Sequence, residues 1–231
     1  MALTQTLLQL RTRSREEADM ENSDFISDSE ILSYINSSYS ELYDLLVASY
    51  EDYYLTSAEQ TIATGVSTLT LPSDFYKLRG VDLKLTTNDY ANLTKFNFNE
   101  RNRLNSSNAI FGSNSVTASS RYRIMGSTIE LQPTDNAAGT YKVWYTPAIT
   151  LLSSDTDTVD GVNGWEEYIV VDVAMKCLSK EESSTTVMER RKAGLIERIQ
   201  KMSANRDSGA PDSVQDVRRN NWFDIDNGWD Y

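Results

Sequence analysis

The run from Tyr168 to Leu178, inside GWEEYIVVDVAMKCLSKEE (residues 164–182), is apolar on nearly every side, broken only by Asp172 and Lys176. An element of that kind must be wrapped by others, which constrains the fold more than any other stretch of the chain. The β-branched trio Ile169-Val170-Val171 would also suit a buried strand. Helix is the better reading, because the run is longer than most strands. Asn163 is placed to cap it, and Glu166 and Glu167 fall in the first turn, where the helix dipole favours negative charge. Lys176 and Lys180 fall towards the positive-favouring end. The segment therefore reads as the central helix of a bundle.

The rest of the chain supplies the wrapping. Thr4 can cap a first helix running to about Met20, with Leu3, Leu7, Leu10 and Ala18 as its apolar stripe. Ser27-Asp28-Ser29-Glu30 reads as a capping box, opening a second helix to about Tyr50. Its stripe is Ile31, Ile35, Ser38, Leu42, Leu45, Leu46 and Ser49, and at 1.5 Å per residue it would be about 33 Å long. Beyond the central helix, Thr186-Val187-Met188-Glu189 resembles a second box. The helix it opens is expected to turn Met188, Leu195, Ile199 and Met202 inward, and Arg190, Arg191, Lys192, Glu197 and Arg198 outward.

Between these helices the period changes to two. Val81, Leu83 and Leu85 alternate with polar neighbours, as do Tyr141, Val143 and Tyr145. Thr64-Gly65 and Gly126-Ser127 are hairpin signals. Asn105–Ser120, rich in Ser and Asn, reads as a long exposed loop, and Leu151–Val162 as a solvated linker. The fold class is α+β: a four-helix bundle with an inserted antiparallel β-sandwich or barrel and an extended C-terminal tail. The expected units are 1–57 (two helices), 58–150 (the β insert), 151–205 (linker and two helices) and 206–231 (the tail).

Chemistry is sparse. The chain has no histidine, which removes the commonest general base, nucleophile partner and metal ligand. Its one cysteine, Cys177, lies in the apolar run and reads as a small core residue. A single cysteine forms no internal disulfide, so nothing points to an oxidising compartment. The N-terminus lacks a signal-peptide pattern, and no apolar run is long enough to span a membrane. No cofactor is expected. A net charge of −12 argues against gripping nucleic acid phosphates, although a negative wall would let DNA slide past.

Individual candidates read as structural. Glu166 and Glu167 are adjacent and point apart, as acids of a first helical turn. Asp172 interrupts the apolar run, and a buried carboxylate needs partners, for which Arg11, Arg13, Arg79 or Arg103 are candidates. Asp155–Gly161 has the Asp spacing of part of a calcium loop, but what precedes it reads as strand instead of helix, so no metal is assigned. Phe96–Leu104, FNFNERNRL, mixes aromatics with Arg101 and Arg103 and reads as a local ion-paired turn rather than a base-stacking patch.

The tail is weighted differently. Residues 203–231 have no sustained period, yet end in Trp222, Phe223, Ile225, Trp229 and Tyr231. Disordered tails are normally poor in aromatics. Large rings in a polar tail point to docking, here onto another chain, with Arg218 and Arg219 available for an acidic partner surface.

Several phrases in order, LRTRSREEADMENSDFISDSEILSYINSSYSELYDLL, LPSDFYKLRGVDL, FNFNERNRL, YRIMG, VWYTP, GWEEYIVVDVAMKCLSKEES and RDSGAPDSV, cover almost the whole chain. With them the chain resembles head–tail adaptor (connector) proteins of short-tailed bacteriophages. The resemblance implies a non-enzymatic virion protein, made in the host cytoplasm. Its copies form a cyclic ring, by expectation a dodecamer, beneath the portal protein. The ring extends the DNA channel, which DNA passes without specific binding, and seats tail nozzle or fibre proteins. Residues 207–231 would be the extension that reaches along the portal. Twelve copies at −12 would set on the order of 150 negative charges around the passage. Two rival readings are a peptidoglycan hydrolase using Asp172 with Glu166 or Glu167, and a glycan- or fibre-binding β module stacking on Trp144 and Tyr145.

Overall fold

In the computed structural model, which describes residues 4–21, 25–101, 120–134, 137–159, 162 and 164–204, helix and sheet separate along the chain where the period changes. Helices α1 (Leu7–Glu17) and α2 (Asp28–Ser49) precede the strands of the two main sheets, and α3 (Glu167–Lys180) and α4 (Thr186–Ala204) follow them. The protein is thus α+β, with four α-helices among the described residues. None is long and apolar enough to cross a membrane.

Helix starts follow capping chemistry, with shifts of position. Thr6 rather than Thr4 caps α1, accepting from the Gln9 N–H while the Gln9 side chain returns to the Thr6 N–H. Ser27 caps α2 by accepting from the Glu30 N–H. The Glu30 carboxylate does not close the box; it is held by Lys180 at 2.6 Å, across on α3. Asn163, the expected cap of α3, lies outside the described residues. Glu166 precedes that helix with helical backbone and no side-chain cap. Before α4 the hydroxyl that meets Glu189 is that of Thr185, one residue earlier than expected.

All four helices contribute to one apolar cluster. Leu7 and Leu10 come from α1, Ile31, Ile35, Leu42 and Leu46 from α2, Ile199 from α4, and α3 gives six residues including Ile169 and Val173. Helix α3 buries Tyr168 through Ala174 without interruption, as its composition demands. On α4 the expected inward face is partly corrected: Met202 is exposed and Ser203 is buried beside it.

The strands form two four-stranded sheets. The first has the order β2 (Thr56–Ile62), β9 (Gly139–Pro147), β4 (Phe75–Lys84), β5 (Tyr90–Asn92). The second has β3 (Thr68–Thr70), β8 (Thr128–Gln132), β7 (Arg121–Met125), β6 (Thr94–Lys95). Neither closes on itself among the described residues, so the barrel alternative is wrong. Ile62, Val81, Leu83, Tyr141, Val143 and Tyr145 of the first sheet bury against Leu69, Tyr122, Ile129 and Leu131 of the second. All pairings in the two sheets are antiparallel except β6 with β7. Gly126-Ser127 makes the expected hairpin between β7 and β8, with Gly126 at φ +59° in the form that needs glycine first. Thr64-Gly65 does not make one. Strand β2 pairs with β9 and β3 with β8, so that turn carries the chain from one sheet to the other. Split in this way, Ile62 and Leu69 both enter the common cluster, whereas a lone two-stranded hairpin is at best marginal in water.

The return segment is more ordered than a solvated linker. The Leu7 and Leu8 N–H groups, left over at the start of α1, donate to the carbonyls of Asp157 and Asp155. Just before them β1 (Gln5–Thr6) pairs with β10 (Thr158–Val159). The Asn36 amide of α2 makes both backbone hydrogen bonds of Leu152, at 3.0 and 2.9 Å. The sheets are fastened to the end of α2 by Tyr43, whose hydroxyl donates to the Pro147 carbonyl, and by Arg79, which bridges Glu51 and Asp52.

Candidate functional site

Within the apolar surroundings of α3, Asp172 is a buried charge. Its side chain is fully buried, and three donors converge on it from three helices. Lys192 Nζ of α4 reaches Oδ1 at 2.6 Å. Lys176 Nζ, one turn along α3, and Ser38 Oγ of α2 reach Oδ2 at 2.7 and 2.6 Å. Glu41 of α2 lies 3.4 Å from Lys176 and 3.2 Å from Lys192, and accepts from the Tyr168 hydroxyl. Two carboxylates and two ammonium groups thus make a charge-balanced knot tying α2, α3 and α4.

The electrostatics follow from that geometry. Burial pushes the Asp172 carboxyl up, but hydrogen bonds from Lys176, Lys192 and Ser38 outweigh it and hold it below the usual carboxylate range. Burial opposes charge on Lys192 as well, yet the bond to Asp172 raises it above the ordinary lysine value. Burial pushes the Tyr168 hydroxyl to about 12 and the Cys177 thiol to about 11, as befits core residues.

The partners expected for Asp172 are engaged elsewhere. Arg11 pairs with Asp155 at 2.9 Å, Arg13 with Glu167, and Arg79 with Glu51 and Asp52; Arg103 lies outside the described residues. Lys192, expected outward, turns in because its long stem reaches the Asp172 carboxylate, which is buried among apolar neighbours. A signal for the knot was present: Ser38 stands in the buried stripe of α2, where a hydroxyl needs a partner.

The three suspect carboxylates do not form a cleft. Glu166 is buried, Glu167 bridges Arg13 and Arg191, and Asp172 is enclosed. The groove of about 630 Å³ on the helical face is lined by Ser33, Ser37, Met175, Lys180, Thr185, Glu189 and neighbours, and includes none of the three. Trp144 and Tyr145 point to opposite faces. The indole donates to Asp82 under the Lys142 ammonium, while Tyr145 stacks on Phe75 within the sheets' cluster. In the calcium-like segment Asp157 accepts from the N–H groups of Ser153 and Ser154. Among the described residues no three potential ligands gather to hold a metal.

The acid behaviour of the protein follows. Hydrogen bonds hold Asp157 low, those from Ser154 and then Ser153 counting most, and Asp172 is also low. A carboxylate with a depressed folded value stabilises above its unfolded value, near 4, and loses that contribution as pH falls through the folded one. Raised Lys192 and Tyr168 stabilise below unfolded values of roughly 10 and lose it as pH rises. Melting temperature is therefore expected to be flat from about pH 5 to 9 and to fall on both sides. A calorimetric series still rising between pH 5 and 3 would contradict this.

Arg218, Arg219, Trp222, Phe223, Ile225, Trp229 and Tyr231 lie outside the described residues. No curated protein matches the chain. Residues 5–218, nearly its full length, match the protein family described as SU10 adaptor protein. The match takes in both helical pairs and the whole set of strands between them, in line with the resemblance its phrases carry to phage head–tail adaptors, and the chain belongs to the SU10 adaptor family.

Proposed function

We propose that the chain is a structural virion protein at the head–tail interface, a non-enzymatic adaptor whose copies close into a ring. The observation that carries this reading is the family match across residues 5–218. In it, residues 1–57 and 151–205 form a four-helix bundle that is the ring body, and 58–150 are an inserted β-sandwich facing tail components. Neighbouring copies meet head to tail with cyclic symmetry, twelve being the expected number, and DNA passes through the channel without specific binding. Separate apolar clusters in helices and sheets support the division into body and insert. The burial of Glu166 and Asp172 and the pairing of Glu167 with Arg13 and Arg191 support an assembly role over hydrolysis.

The C-terminal segment supplies the portal contact. Trp222, Phe223, Ile225, Trp229 and Tyr231 enter apolar pockets there, and Arg218 and Arg219 meet acidic groups. Burying even two of the rings would contribute several kcal/mol at about 25 cal/mol per Å². The test mixes portal protein of the same virion with full-length chain or with a truncation ending at Arg206. By size exclusion, full-length chain is expected to join the portal in a defined ring and the truncation to elute apart. Failure of both to bind would overturn the adaptor reading.

A further inference from the structure

The charge of the chain is unevenly divided. Residues 58–150 hold nine Lys or Arg against seven Asp or Glu, although the whole chain holds 22 against 34. Part of that excess gathers where two sheets diverge. After Leu93, whose N–H still reaches the Val81 carbonyl, the chain leaves β4 and crosses to pair Thr94 and Lys95 with β7. The gap left between β4 and the crossing chain is a groove of about 430 Å³. Phe75, Tyr76 and Leu78 line it from β4, Lys95 from β6, and Arg123 and Ile124 from β7.

Three features of the groove converge. Strand β5 covers only Asp82–Lys84 of β4, so among the described residues no strand pairs with Phe75–Gly80 on that side. Likewise β6 reaches only Arg121 and Tyr122 of β7, leaving Arg123–Met125 unpaired there. Open strand edges accept an added strand. Tyr76, whose hydroxyl donates to Asp44, and Ile124 are exposed groups at the rim, and the Arg123 guanidinium lies 5.8 Å from the ring of exposed Phe98, which also carries the Arg101 guanidinium at 4.1 Å. Lys95 and Arg123 have no carboxylate within ion-pair distance among the described residues, while Lys77 has Glu51.

We propose that this groove is a docking seat for an extended acidic peptide of a partner protein, added as a strand along β4 with large apolar side chains at alternate positions. The six-residue open edge fits a peptide of about that length, roughly 20 Å. A single-stranded nucleic acid matches the cations and rings but has no N–H and C=O ladder to complete the edge. Residues 102–119 carry one Arg and no carboxylate, so they do not complement the groove's charge. The partner's place in the virion rests on the adaptor reading; the groove's chemistry does not.

The test uses full-length protein and a labelled twelve-residue peptide alternating Asp with Val, Ile or Phe. A second peptide has Lys for Asp, and a third has Pro at the alternate backbone positions. The first is expected to bind at least tenfold more tightly than the others, and to slow hydrogen exchange at residues 76–79 and 123–125. Lys95→Glu, at an exposed site, weakens it about tenfold, and Ile124→Asp does likewise. Portal capture by Lys95→Glu is measured alongside and is expected to be unchanged, which separates the groove from the ring. Equal binding of the Asp and Lys peptides, or protection elsewhere, overturns the proposal. So does binding by the truncation at Arg206 but not by the full chain, which would make residues 207–231 the occupant.

Discussion

Asp172→Asn is expected to lower the free energy of unfolding by about 3–5 kcal/mol, the cost of removing one partner from a buried ion pair. The amide keeps the shape and can still accept from Ser38. What it loses is the charge that lets Lys176 and Lys192 sit with about a fifth of their side chains exposed. Glu41 cannot replace it, because it lies at 3.2–3.4 Å and is far more exposed. Replacing the whole group by apolar residues should behave differently. In Asp172→Leu with Lys176→Met and Lys192→Met, no buried unpaired charge remains: Glu41 loses both lysines but is 44% exposed and keeps the Tyr168 hydroxyl, and Ser38 keeps the Tyr34 carbonyl at 2.8 Å. Most of the loss should be recovered, as happens when buried pairs give way to hydrophobic isosteres. Urea denaturation of the single and triple variants decides it. A single variant within about 1 kcal/mol of the parent would mean the knot contributes little.

The second large effect separates the two clusters. Ile169→Ala, at a fully buried site on α3, is expected to cost about 2–5 kcal/mol. The helical cluster does not include the residues between the sheets, and the junction is made mainly of polar contacts such as Tyr43 with Pro147. Native-state hydrogen exchange should therefore speed by at least about 30-fold in α2 and α3 and by far less in β8 and β9. Leu69→Ala, fully buried between the sheets, should give the reverse pattern. Equal acceleration in both regions for either variant would show a single cooperative unit.

How much of this was legible in the sequence depended on the range of the forces involved. Local signals did well: the apolar length of α3, the Ser27 cap and the Gly126 turn each act within a few residues. Partner choice did not. Thr64-Gly65 carries the same local information whether its strands pair with each other or with two different sheets. Likewise, Lys176 stands at the i,i+4 spacing of a helical ion pair with Asp172, but nothing near Asp172 says that Lys192 will reach it. Two of its three donors come from other helices, and Lys192 looked like a surface residue because periodicity treats a long flexible stem as a point. The Asp-rich return segment misled for a related reason. Its backbone carbonyls serve the N–H groups at the start of α1, with the Asp157 side chain holding the turn at Ser153 and Ser154, and this need appears only once residues 5–8 and 155–159 meet.

That meeting has a consequence for how the protein could change. The chain leaves the helices just past the end of α2 and is caught again by Tyr43 at Pro147 and by Asn36 at Leu152, on the same helix. The strands of the two sheets are therefore an excursion from one rod, with re-entry clamped by groups the rod already owns. The helical frame needs no sheet residue to hold its own ends together. An insert of another length or pattern, provided it started at the end of α2 and finished at these two clamps, would leave the frame's geometry untouched, and the surface it offers outward could be exchanged like a tool on a fixed handle.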